Sequence, residues 1–357
     1  MARNQRAHKT KAGYNFQDLA AIVLFIDNFD NLKSIKAEGN NEDIDVQLLD
    51  GTWKFAQAKM ISDPLNSDKR YRRRRMSEAY TSLCNNFMNS SDAVSKIIYV
   101  SNCEDPLGEK DKANSSIYGI STPIRFDQLA QTTQDRVEKM LSNKIKKQAG
   151  NNHIDTQQLD KVKKAFEVKI IPFDPQHRYE DKFGAVQQYV GNFLSSRKLS
   201  KEISLIVMRN WHDLIRENSE SYATDSVLLK KDFLWVIVVI EFNQPFVNDN
   251  LAFKLNLDSA IMDEVSDKFG EILDYINEHF EFCSAIWNDK DQYENKLKSK
   301  GKRLSSYIYS FVNDSWQDYK DKIKLEDASD EENEALVKLA LYRILTKQNM
   351  INKIKGI

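Results

Sequence analysis

Glycine and proline are scarce in this 357-residue chain, at eleven and six residues. A sandwich or barrel needs more tight turns than that composition supplies, so long helices with few strands are expected. Cysteine is scarcer still: Cys84, Cys103 and Cys283 are widely separated, with no C-x-x-C pair and no histidine at metal-site spacing. This excludes structural zinc, a thioredoxin motif and a disulfide scaffold, and fits reduced thiols in a cytosol. The longest apolar run, residues 233–240, falls far short of the roughly 20 residues that cross a bilayer. The basic N-terminal segment leads into no signal-peptide core. The sequence therefore predicts a cytoplasmic protein without a membrane partner. Neither G-x-x-x-x-G-K-[ST] nor G-x-G-x-x-G occurs, so no nucleotide is expected on a phosphate loop. An excess of one charge is also lacking: Lys+Arg 52 against Asp+Glu 53 gives a formal net charge of −1. Any electrostatic signal for nucleic acid must be local.

What is present suffices for a real core, with 41% hydrophobic and 29% charged residues, and the length suits two domains. In residues 14–29, Phe16, Leu19, Ala20, Val23 and Leu24 recur at three- and four-residue spacing. Ile22, Phe25 and Ile26 make the segment apolar nearly all round, which predicts a buried helix. A short strand over 32–38 follows, then a hairpin over 43–60 turning at Asp50-Gly51. Met76, Ala79, Tyr80, Leu83 and Phe87 predict an amphipathic helix over 74–87. Residues 96–100 and 166–173 read as further strands, with a charged region and a loop near 149–153 between them. From about residue 199 the pattern is helical, best over 261–280 and 334–345, so the predicted domains are 1–198 and 199–357. The run at 233–240 is a core helix or strand.

The chemistry-bearing stretch is Glu38-Gly-Asn-Asn-Glu-Asp-Ile-Asp45, followed after eleven residues by Gln57-Ala-Lys59. Strand alternation sets Asp43 and Asp45 on one side, and Gln57 and Lys59 on one side of the next strand. A hairpin joining those sides gathers two carboxylates, an amide oxygen, a backbone carbonyl and an ammonium. Such hard oxygens suit Mg²⁺ or Mn²⁺ at Asp43, Asp45 and Gln57, with a cation beside them. Phosphodiester hydrolysis requires that combination. The competing reading is a solvent-facing hairpin with ordinary charges. Against it, Lys59 sits among Phe55, Ala56, Ala58, Met60 and Ile61, and Gln57 is unusual in a buried strand.

Gly13-Tyr-Asn-Phe-Gln17, Glu42-Asp-Ile-Asp45 and Gln57-Ala-Lys59, in that order, resemble the PD-(D/E)xK nuclease superfamily. The resemblance is to the branch that cuts DNA in bacterial anti-phage systems, including cyclic-oligonucleotide (CBASS) effectors. It covers roughly residues 12–100 and the strand at 167–173. It implies a restriction-endonuclease-like α/β domain acting on double-stranded DNA, which the helical pattern from about residue 199 extends with an all-α domain. It also implies Asp43 or Asp45 as the metal-binding acid, Gln57 where others carry Glu or Asp, and Lys59 as the signature lysine. Gln17 would complete the site from the helix, and Glu38 is a further carboxylate. The Gln in place of an acid leaves one fewer negative charge on the metal.

Lys69, Arg70, Arg72, Arg73, Arg74 and Arg75 place six basic residues in seven, directly after the Gln57–Lys59 strand. Such clusters contact phosphate backbones without sequence preference; the plainer reading is a solvated or partner-binding patch. Arg3, Arg6, Lys9 and Lys11 extend the basic theme. The histidines, His8, His153, His177, His212 and His279, suggest no triad or zinc site, and His212 beside Trp211 reads as a packed helix residue. The leading expectation is a metal-dependent DNA endonuclease effector held inactive by a partner. The alternative is an inactive nuclease-fold module that binds nucleic acid or scaffolds a complex. The C-terminal part is short and helical compared with the α/β ligand sensors of cyclic-oligonucleotide effectors. With no ATPase motif in the chain, the resemblance favours systems with an SMC-like (Lamassu-type) or HerA-like ATPase subunit, and homo-oligomerisation on activation.

Overall fold

The computed structural model describes residues 2–90, 93–103, 106–107, 120–149, 156–175, 179–220, 226–242, 250–262, 265, 279–302, 307–323 and 328–356. The chain divides into two units, residues 1–230 and 231–357.

The first unit is built on a seven-stranded mixed sheet: β1 (Leu32–Ala37), β2 (Ile44–Leu48), β3 (Trp53–Lys59), β4 (Val94–Ser101), β5 (Ile124–Arg125), β6 (Phe166–Ile170) and β7 (Leu228–Leu229). Their order across the sheet is β5-β6-β4-β3-β2-β1-β7. Strands β3, β4 and β6 are mutually parallel, and β1, β2 and β3 run antiparallel in sequence order. The β2–β3 turn forms at Asp50-Gly51 because Gly51 takes a φ of +87° that a side chain would resist. Parallel strands need crossovers, supplied here by α2 (Lys69–Asn89) between β3 and β4, and by α3 (Gln131–Ala149) and α4 (Thr156–Ala165) before β6.

Helix α1 (Ala2–Asn28) covers one face of the sheet. Phe16, Leu19, Ala20, Ala21, Ile22, Val23, Leu24 and Phe25 are all at most 1% exposed, as an all-round apolar pattern requires. Each large side chain among them contributes about 1.5–3 kcal/mol of burial. The helix starts at Ala2, so the basic N-terminal segment is part of it. On the opposite face Phe55, Ile97, Tyr99, Phe166 and Val168 pack against α2, α3 and α4, with Tyr80 stacked on Phe166 at 4.5 Å. In α3 the buried residues Val137, Leu141 and Ile145 recur every four positions, within a stretch whose charge obscured its apolar pattern in the sequence.

The domain boundary moves from the expected residue 198 to Lys230. Helices α5 (Tyr179–Ser196) and α6 (Ser204–Glu220) pack on α1, where Trp211 meets Phe25 edge-on at 5.2 Å. Beyond them β7 adds to the free side of β1. A helical pattern after residue 199 was thus no sign of a new domain, because α6 completes the first one.

Among the described residues the second unit contains helices only: most of α7 (Lys230–Phe242), then α8 (Leu251–Leu255), α9 (His279–Ser299), α10 (Tyr307–Ser315), α11 (Asp330–Thr346) and α12 (Gln348–Lys355). The apolar run at 233–240 is therefore helical. Helix α11 is capped by a Ser329–Glu332 box and buries Leu336, Leu339, Leu341 and Ile344. Trp287 Nε1 donates to Ile344 O at 3.1 Å, joining α9 to α11. Most of the expected helix over 261–280 lies outside the described residues, as does most of the loop near 149–153.

Candidate active site

The site is assembled by the loop at 38–43, the C-terminal end of β3, and one side chain each from α1 and α2. Glu38 opens the loop at a left-handed φ of 49°, and its N–H donates to Asp43 O at 2.8 Å. Gln17 Nε2, from buried α1, donates to the same carbonyl at 2.9 Å. These two bonds fix the backbone of Asp43, which lies just before β2 and outside its alternation. The Asp43 side chain turns to β3. Its Oδ2 accepts from Lys59 Nζ at 3.0 Å and from the Ala58 N–H at 3.0 Å. Both side chains keep about a fifth of their surface exposed, at 21% and 20%. Asp43 Oδ1 carries no hydrogen bond among the described residues. Close by, Asn102 clamps the ends of the sheet, bonding Ile61 N and O at 2.6 and 2.9 Å and Phe173 O at 2.7 Å.

Asp45 does something different from what its place in the motif suggests. By register it faces the same side as Phe55, hence as Gln57 and Lys59. Its carboxylate folds back over the loop instead. Oδ1 accepts the Glu42 N–H at 3.1 Å, and Oδ2 accepts Asn41 N and Nδ2, both at 3.1 Å. Gly39 makes room for this, because a Cβ there would collide with the Asp45 carboxyl group. Burial pushes the Asp45 pKa up while the loop N–H groups pull against it. Asp45 is a loop staple.

The carboxylate that joins Gln57 is Glu42, which sequence reasoning had left out of the site. Gln57 Nε2 donates to Glu42 Oε2, and Asn86 Nδ2 on α2 donates to Glu42 Oε1 at 2.7 Å. Glu42 is 4% exposed, and burial raises its pKa, with the charge of adjacent Asp43 adding to the effect. The signal available in the sequence was an acid next to Asp43 at a strand entrance; Asn86, 44 residues away, gave none. Glu38 bonds to Asp43 through its backbone N–H, and its side chain is exposed.

Behind the site, Asp18 is buried on α1 beside Gln17. Burial lifts its pKa to about 7, with Glu38 and Glu220 adding to the rise and Arg216 opposing it. His212 Nε2 of α6 lies 3.5 Å from Asp18 Oδ2, and burial lowers the His212 pKa. His212 is packed edge-on to Phe183, as a helix residue rather than a ligand.

The basic run does not form one patch. It occupies the first two turns of α2, which begins at Lys69 rather than residue 74, so a 100° step per residue distributes it around the helix. Arg72 turns inward, 9% exposed, with Nη1 3.4 Å from Cys103 Sγ. Arg74 and Arg75 both reach Glu78 at 3.2 Å. Lys69, Arg70 and Arg74 are exposed, while Arg73 and Arg75 are half-buried.

Asp43 and Gln57 offer the oxygens a divalent cation prefers, because Asp43 Oδ1 is open and Gln57 spends only its N–H₂ on Glu42. Asp45 leaves the expected ligand set, both its oxygens being used by the loop. Among the described residues no three His, Cys, Asp or Glu side chains converge as a metal site. Mg²⁺ commonly binds through one or two carboxylates and keeps several waters, so a set of Asp43 and Gln57 fits its chemistry.

No protein-family model matches the chain, and neither a curated protein nor a solved structure matches it. Among the described residues no helix is long and apolar enough to cross a membrane.

Proposed function

We propose that the first unit is a metal-dependent DNA endonuclease domain of the restriction-endonuclease-like class. The observation that carries this reading is the Lys59–Asp43 contact at 3.0 Å, at a strand end that also carries Gln57. Lys59 presents an ammonium where charge develops on an attacked phosphate, and Asp43 holds it there. Gln17 and the Glu38 N–H fix the Asp43 backbone, while Asn86 and Glu42 orient the Gln57 amide. A cation held by Asp43 and Gln57 supplies a water of lowered pKa and neutralises phosphate charge when bound. The acidic residues of the site suit a phosphate substrate only with such a cation present, which is why Mg²⁺ or Mn²⁺ belongs to the reading.

The wider reading is an effector of a bacterial anti-phage complex, acting in the cytoplasm on double-stranded DNA. A free DNase endangers its host and the chain has no ATPase motif, so restraint and activation fall to a partner. The helical second unit is the element available to dock an SMC-like (Lamassu-type) or HerA-like ATPase and to bring copies together.

Plasmid cleavage with Mg²⁺ or Mn²⁺ tests the chemistry. Lys59→Ala should lose about 10²–10³-fold in rate while keeping the wild-type circular dichroism spectrum and melting temperature. Cleavage at the wild-type rate would remove Lys59 from the reaction. The use of Asp45 as a loop staple favours one second reading, a nuclease-fold module that binds DNA without cutting it. That reading predicts metal-independent binding and no cleavage by wild type with either metal.

A further inference from the structure

Seven large apolar side chains are exposed among the described residues, and three of them, Tyr14, Leu65 and Tyr71, stand at the end of the sheet that carries Lys59. The contacts at that end place them. Phe16, two residues after Tyr14 on α1, packs on Phe173 at 5.6 Å. Asn102 donates to both Phe173 O and Ile61 O, which joins the end of α1 to the loop that carries Leu65. Lys59 pairs with Ser101, next to Asn102 in the chain. Helix α2 begins directly after the loop, and its Arg72 Nη1 lies 3.4 Å from Cys103 Sγ. One exposed leucine is ordinary; three such side chains around a candidate active site ask for a ligand.

Leu65 is the most exposed of the three, at 74%, and the loop beneath it is bonded on both sides. Ile61 is held by Asn102 through its N–H and its carbonyl. Asp63 Oδ1 accepts the Asn66 N–H at 2.9 Å, and Asp63 O accepts the Ser67 N–H at 3.0 Å. Pro64 O accepts the Cys103 thiol at 3.4 Å. The neighbours of Leu65 are thus fixed while its own side chain is offered to solvent. The surrounding charge is positive with every acid counted. Residues 61–78 carry six basic side chains against Asp63, Asp68 and Glu78, and residues 2–17 carry four basic side chains and no acid. Lys11, Lys69 and Arg70 are exposed and have no ion pair among the described residues.

We propose that Leu65 is a wedge that enters the base stack of bound DNA close to Lys59, while Lys11, Lys69 and Arg70 hold neighbouring phosphates. The inference rests on the nuclease reading for its substrate and adds the form of DNA preferred, a duplex already weakened at one step by a mismatch. A polyanion complements the charge of this edge, and a base stack supplies the apolar surface that the leucine lacks. Inserting an apolar side chain costs the duplex its stacking at that step, and a loop fixed in advance adds little ordering cost of its own. Where the bases are already mispaired, much of the unstacking cost is absent. Tyr14 and Tyr71 offer aromatic surface to the displaced bases.

The test measures binding by the full chain carrying Lys59→Ala, so that cleavage does not intervene. The probes are two short duplexes of one sequence, one fully paired and one with a single central mismatch beside a 2-aminopurine. The mismatched duplex should bind about tenfold more tightly, and its 2-aminopurine should brighten on binding. Adding Leu65→Ser should make the two affinities equal and remove the brightening, while Leu65→Met should keep both. The Leu65→Ser chain should melt at the parent temperature, because the side chain it replaces is exposed. A mismatch preference unchanged by Leu65→Ser, or no preference in the parent, would overturn the wedge; plasmid cleavage by wild type would still uphold the nuclease reading. A preference that depends on Leu65, without cleavage by wild type, would support the wedge and overturn only the cutting. Binding to neither duplex would overturn the proposal and give this edge to a protein partner.

Discussion

Two aspartates separated by one residue have been given different work by the loop in front of them. Asp43 holds Lys59 and a β3 amide, whereas Asp45 holds the backbone of residues 41 and 42. Asp45→Ala leaves three N–H groups without their acceptor, at a cost of about 2 kcal/mol, so chemical denaturation should show the loss directly. Gly39→Ala should destabilise similarly by displacing the same carboxylate from the loop. Asp43→Ala should cost less stability and abolish cleavage. If Asp45→Ala kept wild-type stability and lost only activity, the staple assignment would fail. A second test at this scale concerns Asp18. Its folded pKa of about 7 stands above the ordinary 3.8, so the fold binds a proton that the unfolded chain has released between those values. Stability from this group therefore falls as pH rises from about 4 to 7, by an amount on the order of a few kcal/mol. Asp18→Asn removes the titration. Urea unfolding at pH 5 and pH 7.5 should show the variant gaining on wild type at the higher pH. An equal difference at both values would mean that Asp18 ionises freely in the fold.

Among the elements, α2 poses the clearest physical question. Positive residues at a helix N-terminus oppose the helix dipole, and α2 has no acidic residue in its first turn to offset them. The dipole does not explain Lys69 and Arg70, and under the proposed nuclease function the exposed Lys69, Arg70 and Arg74 would meet a phosphate backbone. Replacing these three with Glu should weaken DNA binding to unrelated sequences alike and reduce the log–log salt slope by about 0.9 for each phosphate no longer neutralised. Arg72→Ala should instead lower the melting temperature and leave the slope unchanged, because this side chain is buried against Cys103. A full slope in the triple variant would assign the exposed side of α2 to a protein partner.

For the whole molecule, the division at Lys230 has a consequence for any dissection of the chain. A fragment of residues 1–230 retains Trp211 on Phe25 and β7 on β1, and should fold as a monodisperse species with native-like melting. Ending at residue 198 uncovers Phe25, Phe193 and the side of β1, and that fragment should aggregate. Size-exclusion chromatography of the two separates the cases, and a well-behaved 1–198 fragment would return the boundary to residue 198.

Much of this was legible in the sequence where the cause is local. The all-round apolar pattern of residues 16–25 needs a buried helix, Asp50-Gly51 needs a turn, and the alternation about Gln57 and Lys59 needs a strand, whatever surrounds them. The wide spacing of the cysteines argued against a disulfide scaffold, and all three are free. Tertiary structure decided the rest, because the partners are distant in sequence or contribute through the backbone. Asp45 could be read as a staple only once the loop over Gly39 was in place, and Glu42 entered the site through Gln57 and Asn86. The buried pair of Lys169 and Asp27 is invisible in either segment, since one comes from β6 and the other from α1. Periodicity reports which face of an element is apolar; which charges meet across an interior depends on register and crossover, and these exist only in the folded chain.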